Sequence, residues 1–243
     1  MKHEFIYNGM NSTDYGLTIS GEDTWKRPKP DITRISVPGR NGDLIQLGNR
    51  FENVEIEYHA GIVKDMSVHF DAFNARLLSD PGYHILEDSY HPEYYRLAVF
   101  EDALVPEVKN RLNHAEVDIK FNCKPQLFLK SGLIEQAISN NGIIYNPTPY
   151  NALPKVEFGF MNSWEGGSIT INGITISSQS TESLGPFVID CEKQDIYKKS
   201  DMTNCNSFFT LDNQEFFVLY PGRNTIYFTS VSAFTIIPNW WTV

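Results

Sequence analysis

Residues 116–124 read EVDIKFNCK, and their side chains alternate between polar and apolar along the whole stretch. One side carries Val117, Ile119, Phe121 and Cys123, and the other side carries Glu116, Asp118, Lys120, Asn122 and Lys124. A repeat of two residues is typical of a β-strand that buries one face, because successive side chains point to opposite sides of a sheet. Cys123 lies on the apolar side, so we interpret it as a small core residue rather than a nucleophile.

The same alternation occurs at residues 54–59, VEIEYH, where Glu55 and Glu57 share the polar side. Residues two apart on one strand lie about 7 Å apart, which is a separation that an inverting glycosidase uses for its acid and base. Alternation alone also predicts these glutamates, as it predicts Glu116 and Asp118, as the solvated face of an amphipathic strand. We favour the solvated face over a catalytic pair.

One helix is predicted among these strands. Met66, Phe70, Phe73 and Leu77 recur at spacings of four, three and four, which is typical of a helix that buries one side. Asp65 is a suitable N-cap, and the run Ser-Asp-Pro-Gly at 79–82 ends the helix. A single amphipathic helix in a strand-rich domain covers one face or one end of a sheet.

The second half of the chain is predicted to contain only strands. Residues 168–177, SITINGITIS, place Asn172-Gly173 between two alternating runs, which is a strong hairpin signal. Residues 131–154 contain an Asn-Gly step and three prolines, which favour extended or turn conformations. The fold class is therefore mainly β, with an N-terminal domain at 1–133, a linker at 134–153 and a jelly-roll β-sandwich at 154–243.

The amino-acid composition argues against several classes of function. The 243 residues include 20 Lys and Arg against 30 Asp and Glu, and a net charge of −10 disfavours a general grip on phosphates. The three cysteines form no CxxC pair, which argues against a disulfide scaffold or a zinc ribbon and suits a reducing compartment. The sequence shows neither a signal-peptide core nor a long apolar span, so we expect cytoplasmic synthesis without membrane insertion.

The usual catalytic motifs are missing from the sequence: G-x-S-x-G, H-E-x-x-H, the P-loop, G-x-G-x-x-G and the calcium loop. We therefore predict no catalytic, cofactor-binding or metal-binding residue. A metal site at His84 and His91 would require a hairpin that brings the two rings together. Trp164, Trp240 and Trp241 are candidates for a sugar-binding or partner-binding platform. Core or interface packing is the alternative, and Trp240 and Trp241 point to opposite faces if they lie on one strand.

Residues 31–49, DITRISVPGRNGDLIQLGN, form a candidate hairpin with a polar tip and few large apolar residues to bury. An isolated hairpin is marginal in water, so it either packs as a member of its own sheet or reaches onto another chain. The tip consists of Val37, Pro38, Gly39, Arg40, Asn41, Gly42 and Asp43.

The order and spacing of several segments resemble the distal tail proteins of long, non-contractile-tailed bacteriophages. The matching segments run nearly end to end: EFIYNGMNSTDYGLTISG (4–21), VPGRNGDL (37–44), the helix-containing stretch 65–100, EVDIKFNCKPQLFLKSG (116–132), NPTPYNALPKVEF (146–158), FVIDCEKQDIY (187–197) and LYPGRNTIYF (219–228). The chain resembles the short form of this family, which has no inserted sugar-binding module.

The resemblance implies a non-enzymatic structural role in the virion. Such proteins form a six-subunit ring that joins the tail tube to the tail-associated lysin or fibre hub. Their N-terminal domain, split-barrel-like with one helix and a hairpin arm, makes the ring, and 37–43 would be the tip of that arm. Their C-terminal domain is a galectin-like or carbohydrate-binding-module-like sandwich, which often holds receptor-binding proteins.

One hypothesis follows from the resemblance and the acidic balance, and two other functions remain as alternatives. Glu55, Glu57, Glu116 and Asp118 would line the bore, where negative charge lets DNA pass without specific binding. The alternative function is a carbohydrate-binding module that recognises a host cell-wall polysaccharide through the tryptophans. A glycoside hydrolase that uses Glu55 and Glu57 is a third, less favoured candidate.

Overall fold

The computed structural model describes residues 3–62, 66–109, 114–162, 166–178 and 185–243. The chain divides into two compact units, one that extends to Leu127 and one that runs from Phe128 to Thr242. Within the described residues, no helix is both long enough and apolar enough to cross a membrane.

The first unit contains ten strands, one α-helix and two short 3₁₀ helices, at Ser12–Tyr15 and Glu22–Trp25, among the described residues. The strands and helix are β1 Phe5–Tyr7, β2 Met10–Asn11, β3 Leu17–Ser20, β4 Pro30–Ile35, β5 Leu44–Phe51, β6 Val54–Ile62, α1 Met66–Leu78, β7 His84–Asp88, β8 Tyr94–Val99, β9 Glu107–Lys109 and β10 His114–Leu129. The main sheet has the order β2-β1-β7-β8-β10-β6-β3, with β9 also paired to β10. The mainly β fold predicted from the sequence is confirmed.

The core of the first unit is built on the alternating face of β10. Phe121 is fully buried, and its ring centroid lies 5.5 Å from that of Phe5 and 4.8 Å from that of Tyr7. Tyr58 of β6 and Phe100 complete the cluster at 6.1 and 5.8 Å. Aromatic pairs at these separations add to the area that each ring buries. The apolar face of EVDIKFNCK therefore forms the centre of the unit.

The helix lies where the spacing predicts it. It buries Met66, Phe73 and Leu77, and the Phe73 ring contacts Phe5 with a centroid distance of 6.3 Å. The proposed N-cap, Asp65, falls outside the described residues. Cys123 is fully buried, and this burial raises the pKa of its thiol to about 12, so the thiolate that a nucleophile requires is disfavoured.

The second unit contains two five-stranded sheets, ordered β11-β20-β13-β16-β17 and β12-β19-β14-β15-β18. Its strands are β11 Gln136–Ala137, β12 Gly142–Asn146, β13 Lys155–Phe160, β14 Gly167–Ile171, β15 Ile174–Ser178, β16 Phe187–Asp190, β17 Asp195–Lys198, β18 Thr210–Leu211, β19 Gly222–Thr229, β20 Val231–Ile237 and β21 Trp241–Thr242. Short 3₁₀ helices occur at Lys130–Leu133, Asn206–Phe208 and Asp212–Gln214. Phe158 packs in the core against Phe160, Phe187 and Phe209.

The Asn172-Gly173 turn forms as predicted. Both residues have positive φ, 53° and 88°, which is the combination that a type I′ hairpin turn requires. The side-chain amide of Asn172 donates to the carbonyl oxygen of Val218 at 3.0 Å and to Oδ1 of Asn224 at 2.7 Å. These bonds tie the turn to β19 and to the stretch that precedes it.

The structure differs from the linker prediction at 134–153. Strands β11 and β12 lie in this stretch and pair with β20 and β19. The Asn-Pro-Thr-Pro run is a fixed turn, because the amide of buried Asn146 donates to the carbonyl oxygens of Tyr150 and Leu219. Asn146 Oδ1 also accepts from the Thr148 amide. Prolines and asparagines that read as a linker therefore build a turn within the second unit.

Candidate functional site

The predicted hairpin forms, and it is a sheet of its own. Strands β4 and β5 pair with each other, with Ile35 opposite Leu44 and Ile32 opposite Leu47. An ion pair between Arg50 Nε and Asp31 Oδ2, 2.7 Å apart, joins the two strands near their base. At the tip, the Arg40 amide donates to the carbonyl oxygen of Val37. The tip residues Pro38–Asp43 are all exposed.

The hairpin carries more exposed apolar surface than predicted from its sequence. Its large aliphatic side chains that remain exposed are Ile32, Ile35, Leu44, Ile45 and Leu47. Ile45 and Leu47 are 63% and 62% exposed, and the register places both on the same face as Ile32. The expectation of few large apolar residues was therefore wrong: Leu44, Ile45 and Leu47 lie within four consecutive residues, and the pairing of β4 with β5 adds Ile32 to the face of Ile45 and Leu47. A contiguous apolar surface of this kind typically marks an interaction site.

The four predicted acidic residues share the polar face of two neighbouring strands. β6 and β10 are antiparallel, with Glu57 opposite Lys120, Asp118 opposite His59 and Glu55 opposite Asn122. Glu116 follows on the same face, opposite Gly61. The structure thus brings the four carboxylates onto one surface, and it also brings basic side chains onto that surface.

The acidic face is largely compensated by these basic groups. Glu57 lies 3.7 Å from Lys120 and 3.8 Å from Lys26, measured between nitrogen and oxygen. Glu116 pairs with Lys109, and this hydrogen bond lowers the pKa of the Glu116 carboxyl and raises that of Lys109. The negative potential of this face is therefore weaker than a count of its carboxylates indicates.

His59 bridges two carboxylates on this face. Its Nδ1 lies 2.5 Å from Oδ1 of Asp118, and its Nε2 lies 3.2 Å from Oδ2 of Asp23 on the 3₁₀ helix Glu22–Trp25. The hydrogen bond to Asp118 is the main cause of a raised His59 pKa, partly opposed by desolvation and supported by Asp23. The bridge therefore attaches the segment that leads into the hairpin to the main sheet.

A His59→Gln variant is expected to lose stability in a pH-dependent way. The raised pKa means that the stabilisation is fully present below the ordinary value of 6.5 and is lost as the pH rises through the folded-state value. The pair is solvent-exposed, so the difference at low pH should stay below about 1 kcal/mol. Urea unfolding of both proteins at pH 5.5 and 8.5 measures it. A larger difference at pH 8.5 than at pH 5.5 would contradict the assignment.

Three potential metal ligands also lie on this face. Ligand atoms of Glu57, His59 and Asp118 come within 4.8 Å of one another. Lys26 and Lys120 already lie against Glu57, so a salt-bridge network accounts for the arrangement. His84 and His91 have separate partners, with His84 near Asp80 and His91 hydrogen-bonded to Asp88 at 3.0 Å.

The proposed catalytic pair, Glu55 and Glu57, does not line a cavity on the polar face of β6 and β10. A cavity of about 390 Å³ on the polar face is lined by His59, His114, Glu116 and Asp118, among others, but by neither Glu55 nor Glu57.

The tryptophans do not form a platform in the described residues. Trp164 lies outside the described residues. Trp240 is buried in the core, which corrects its assignment as a platform residue. Trp241 stacks on Tyr150 with a centroid distance of 4.4 Å and donates from Nε1 to the Asn151 carbonyl oxygen, so one ring face is already covered.

No family model matches the sequence, and no curated protein matches it significantly. Solved structures do match. The Dit (gp 19.1) protein of phage SPP1, described as a paradigm of the hub adsorption apparatus in phages that infect Gram-positive bacteria, superimposes with a TM-score of 0.77 at 14% identity over the whole of both chains. Chains of the phage P2 baseplate in its activated conformation, with Ca and with Sr, match with TM-scores of 0.60 and 0.59 at 11% identity, over 97% of each chain.

At such low identities, the shared property is the fold. The match covers the whole of both chains, so the shared fold includes both units. The chain therefore has, from end to end, the fold of the Dit protein of phage SPP1, which confirms the distal-tail-protein likeness of its sequence.

Proposed function

We propose that this protein is a structural component of a phage tail tip. In this proposal it assembles into a closed ring, a hexamer, that joins the tail tube to the tail-associated lysin or fibre hub and to the host-adsorption apparatus. The single observation that carries the proposal is the exposed hairpin β4–β5. The likeness to Dit and baseplate structures supports it along the whole chain.

The hairpin favours an intersubunit contact on energetic grounds. Fully burying a leucine or isoleucine side chain stabilises a contact by about 1.5–3 kcal/mol. Ile32, Ile45 and Leu47 leave much of this free energy unused in the single chain. A two-stranded sheet also has two unpaired edges that can extend a neighbour's sheet. An arm that reaches one neighbour, without receiving that neighbour's arm at the same patch, makes a heterologous contact. Such a contact, repeated by a rotation that closes, generates a ring.

The other parts of the proposal follow from this assembly. The protein acts without catalysis, in the virion, after synthesis in the host cytoplasm. The C-terminal sandwich is available to hold receptor-binding proteins. The polar face of β6 and β10 is proposed to line the bore, where the net charge of −10 disfavours retention of DNA. Lys26, Lys109 and Lys120 moderate that charge, so the main effect of this face is low affinity rather than strong repulsion.

Deletion of residues 36–45, which removes the hairpin tip together with Leu44 and Ile45 of β5, tests the proposal. In size-exclusion light scattering, the wild-type ring is expected to have about six times the 27.8 kDa mass of one chain, and bound tail-tube or hub neighbours add their own mass to it. The deletion variant is expected to remain monomeric and folded, as judged by an unchanged circular dichroism spectrum. A deletion variant that still forms the same ring would show that the hairpin is not the arm.

A further inference from the structure

We propose that the base of the hairpin β4–β5 contains an aiming joint, which sets the direction of the arm and thereby the number of subunits in the ring. The joint consists of Asp31 on β4 and of Gly48, Asn49 and Arg50 on β5. This inference rests on the proposed function and deepens it, because it names the residues that fix the angle of the contact between neighbouring subunits. The joint is separate from the apolar residues that would make that contact.

The register of the two strands shows a bulge at the joint. Two cross-strand pairs flank it: Pro30 with Phe51, and Ile32 with Leu47. Asp31 therefore lies opposite a stretch of three residues, 48–50. Extra residues on one strand of an antiparallel pair bend that strand and increase its local twist. The arm beyond the joint thus leaves the base of the hairpin at an angle that regular pairing would not give.

The side chain of Asp31 lies across the joint. A Cβ atom on Gly48 would lie 2.6 Å from Oδ2 of Asp31 and 2.7 Å from its Cγ, so glycine leaves the room that the carboxylate occupies. The same Oδ2 accepts a hydrogen bond from Nε of Arg50 at 2.7 Å. Because the Arg50 side chain is 74% exposed, this ion pair adds little stability, and its main effect is to hold the bulge in one geometry.

The middle of the joint has a backbone conformation that most residues avoid. Asn49 has a φ of 53°, in the left-handed region that asparagine tolerates better than most residues other than glycine. A hairpin without Gly48 and Asn49 would place Asp31 directly opposite Arg50 in a regular pair, so the bulge is not needed to join the strands. A left-handed residue and a close glycine that regular pairing does not require indicate that the bend itself has a use.

The joint separates the base of the hairpin from the part that would contact a neighbour. The exposed large aliphatic residues of the hairpin all lie beyond the joint, between residues 32 and 47. On the other side, the Glu52 amide donates to the carbonyl oxygen of Lys29 at 2.9 Å, and β6 begins at Val54. The angle of the joint is therefore passed on directly to the intersubunit contact.

The direction of the arm matters because a ring closes only at certain angles. In a heterologous assembly each subunit is rotated by a constant angle relative to the previous one, and six subunits require about 60° per contact. A change of about 9° in this rotation gives seven subunits, and a rotation that does not close gives an open chain. The joint thus controls closure, while the apolar residues of the arm supply affinity.

Deletion of Gly48 and Asn49 removes the bulge and tests the proposal. It removes no charge and no apolar residue of the arm. In size-exclusion light scattering, with the neighbouring proteins that close the wild-type ring, we expect another ring size, open oligomers or the monomer in place of the wild-type ring mass. Asn49→Gly keeps the bulge, because glycine adopts positive φ freely, and should give the wild-type ring. A ring of wild-type mass from the deletion variant, or loss of the ring in Asn49→Gly, would overturn the proposal.

Spin labels measure the direction of the arm in the single chain. The three native cysteines are buried, so labels can be attached at Arg40→Cys on the tip, combined in turn with Val68→Cys and Val105→Cys, which replace exposed residues. From Ile32 to Val37 the arm spans about 17 Å, so a change of about 9° moves the tip by about 3 Å. The deletion should shift at least one of the two label distances by this amount, and Asn49→Gly should shift neither. Two unchanged distances in the deletion variant would contradict the aiming role.

Gly48→Ala keeps the length of the hairpin and serves if the deletion variant does not fold. Its Cβ would displace the Asp31 carboxylate from Arg50 and loosen the joint. We expect the protein concentration at which half of the chains form the ring to rise about threefold relative to Asn49→Gly, with little change in the thermal midpoint. Equal concentrations for the two variants would overturn the proposal. A wild-type chain that forms no ring with its neighbours would instead refute the proposed function, and the label distances would still test the joint.

Discussion

Replacing both Ile45 and Leu47 with aspartate is expected to abolish ring assembly while the chain stays folded. The two side chains are more than 60% exposed in the single chain, so their replacement removes little packing within it. In the proposed contact they would be buried, and two unpaired carboxylates there would each cost several kcal/mol. Size-exclusion light scattering, with the neighbouring proteins that close the wild-type ring, is expected to show only the monomer.

A matched control separates the hairpin from a general effect of added charge. Val68 and Val105 are 70% and 79% exposed and lie outside the hairpin. Their replacement with aspartate adds the same charge and should leave the ring intact. Both double variants should melt within about 4 °C of the wild type, since exposed substitutions usually cost no more than about 0.5 kcal/mol each. Loss of the ring in the control, or its retention in the hairpin variant, would contradict the arm assignment.

Phe121→Ala is expected to be the most destabilising single truncation that we predict in the first unit. The ring is fully buried and contacts Phe5, Tyr7, Tyr58 and Phe100. Truncation of a buried phenylalanine to alanine costs about 3–5 kcal/mol, from lost transfer free energy and from the remaining cavity. Total stabilities of about 5–15 kcal/mol make this a large fraction. Urea unfolding followed by circular dichroism measures the loss as a lower midpoint for the first unit.

An exposed phenylalanine is the control for this experiment. Phe208 is 51% exposed, so Phe208→Ala should cost less than about 1 kcal/mol. Because the chain contains two units, the two transitions are to be fitted separately rather than as a single two-state step. A loss below about 1 kcal/mol for Phe121→Ala would mean that the aromatic cluster is not the centre of the core.

Local patterns predicted the elements well. The spacing of Met66, Phe73 and Leu77 predicted α1 because a helix repeats every 3.6 residues regardless of its surroundings. Asn172-Gly173 predicted its hairpin for a similar reason, because the turn depends on the conformations available to two residues. Alternation predicted that Phe121 would be buried and that Glu57 and Asp118 would be on the opposite face.

Local sequence patterns did not predict the features that depend on residues distant in the chain. Asn146 and its prolines read as a linker, because the carbonyl oxygen of Leu219 that fixes them is 73 residues away. His59 gave no signal of its own, since its bridge joins Asp23 and Asp118 from two other segments. A cavity of about 350 Å³ beside Tyr220 was equally invisible in the sequence, because its lining comes from four separate stretches of the chain.

Local sequence patterns were sufficient to predict the mainly β class, the helix α1, the Asn-Gly hairpin and the apolar face of β10. These features follow from backbone geometry and side-chain periodicity over a few residues. Which apolar residues remain exposed and which charges are compensated depends instead on the three-dimensional fold. Ile45 and Leu47 are unburied because β4 and β5 pair only with each other in the described chain, and Glu57 is balanced because β10 places Lys120 opposite it. Burial and charge pairing are properties of neighbours in space, and folding sets those neighbours.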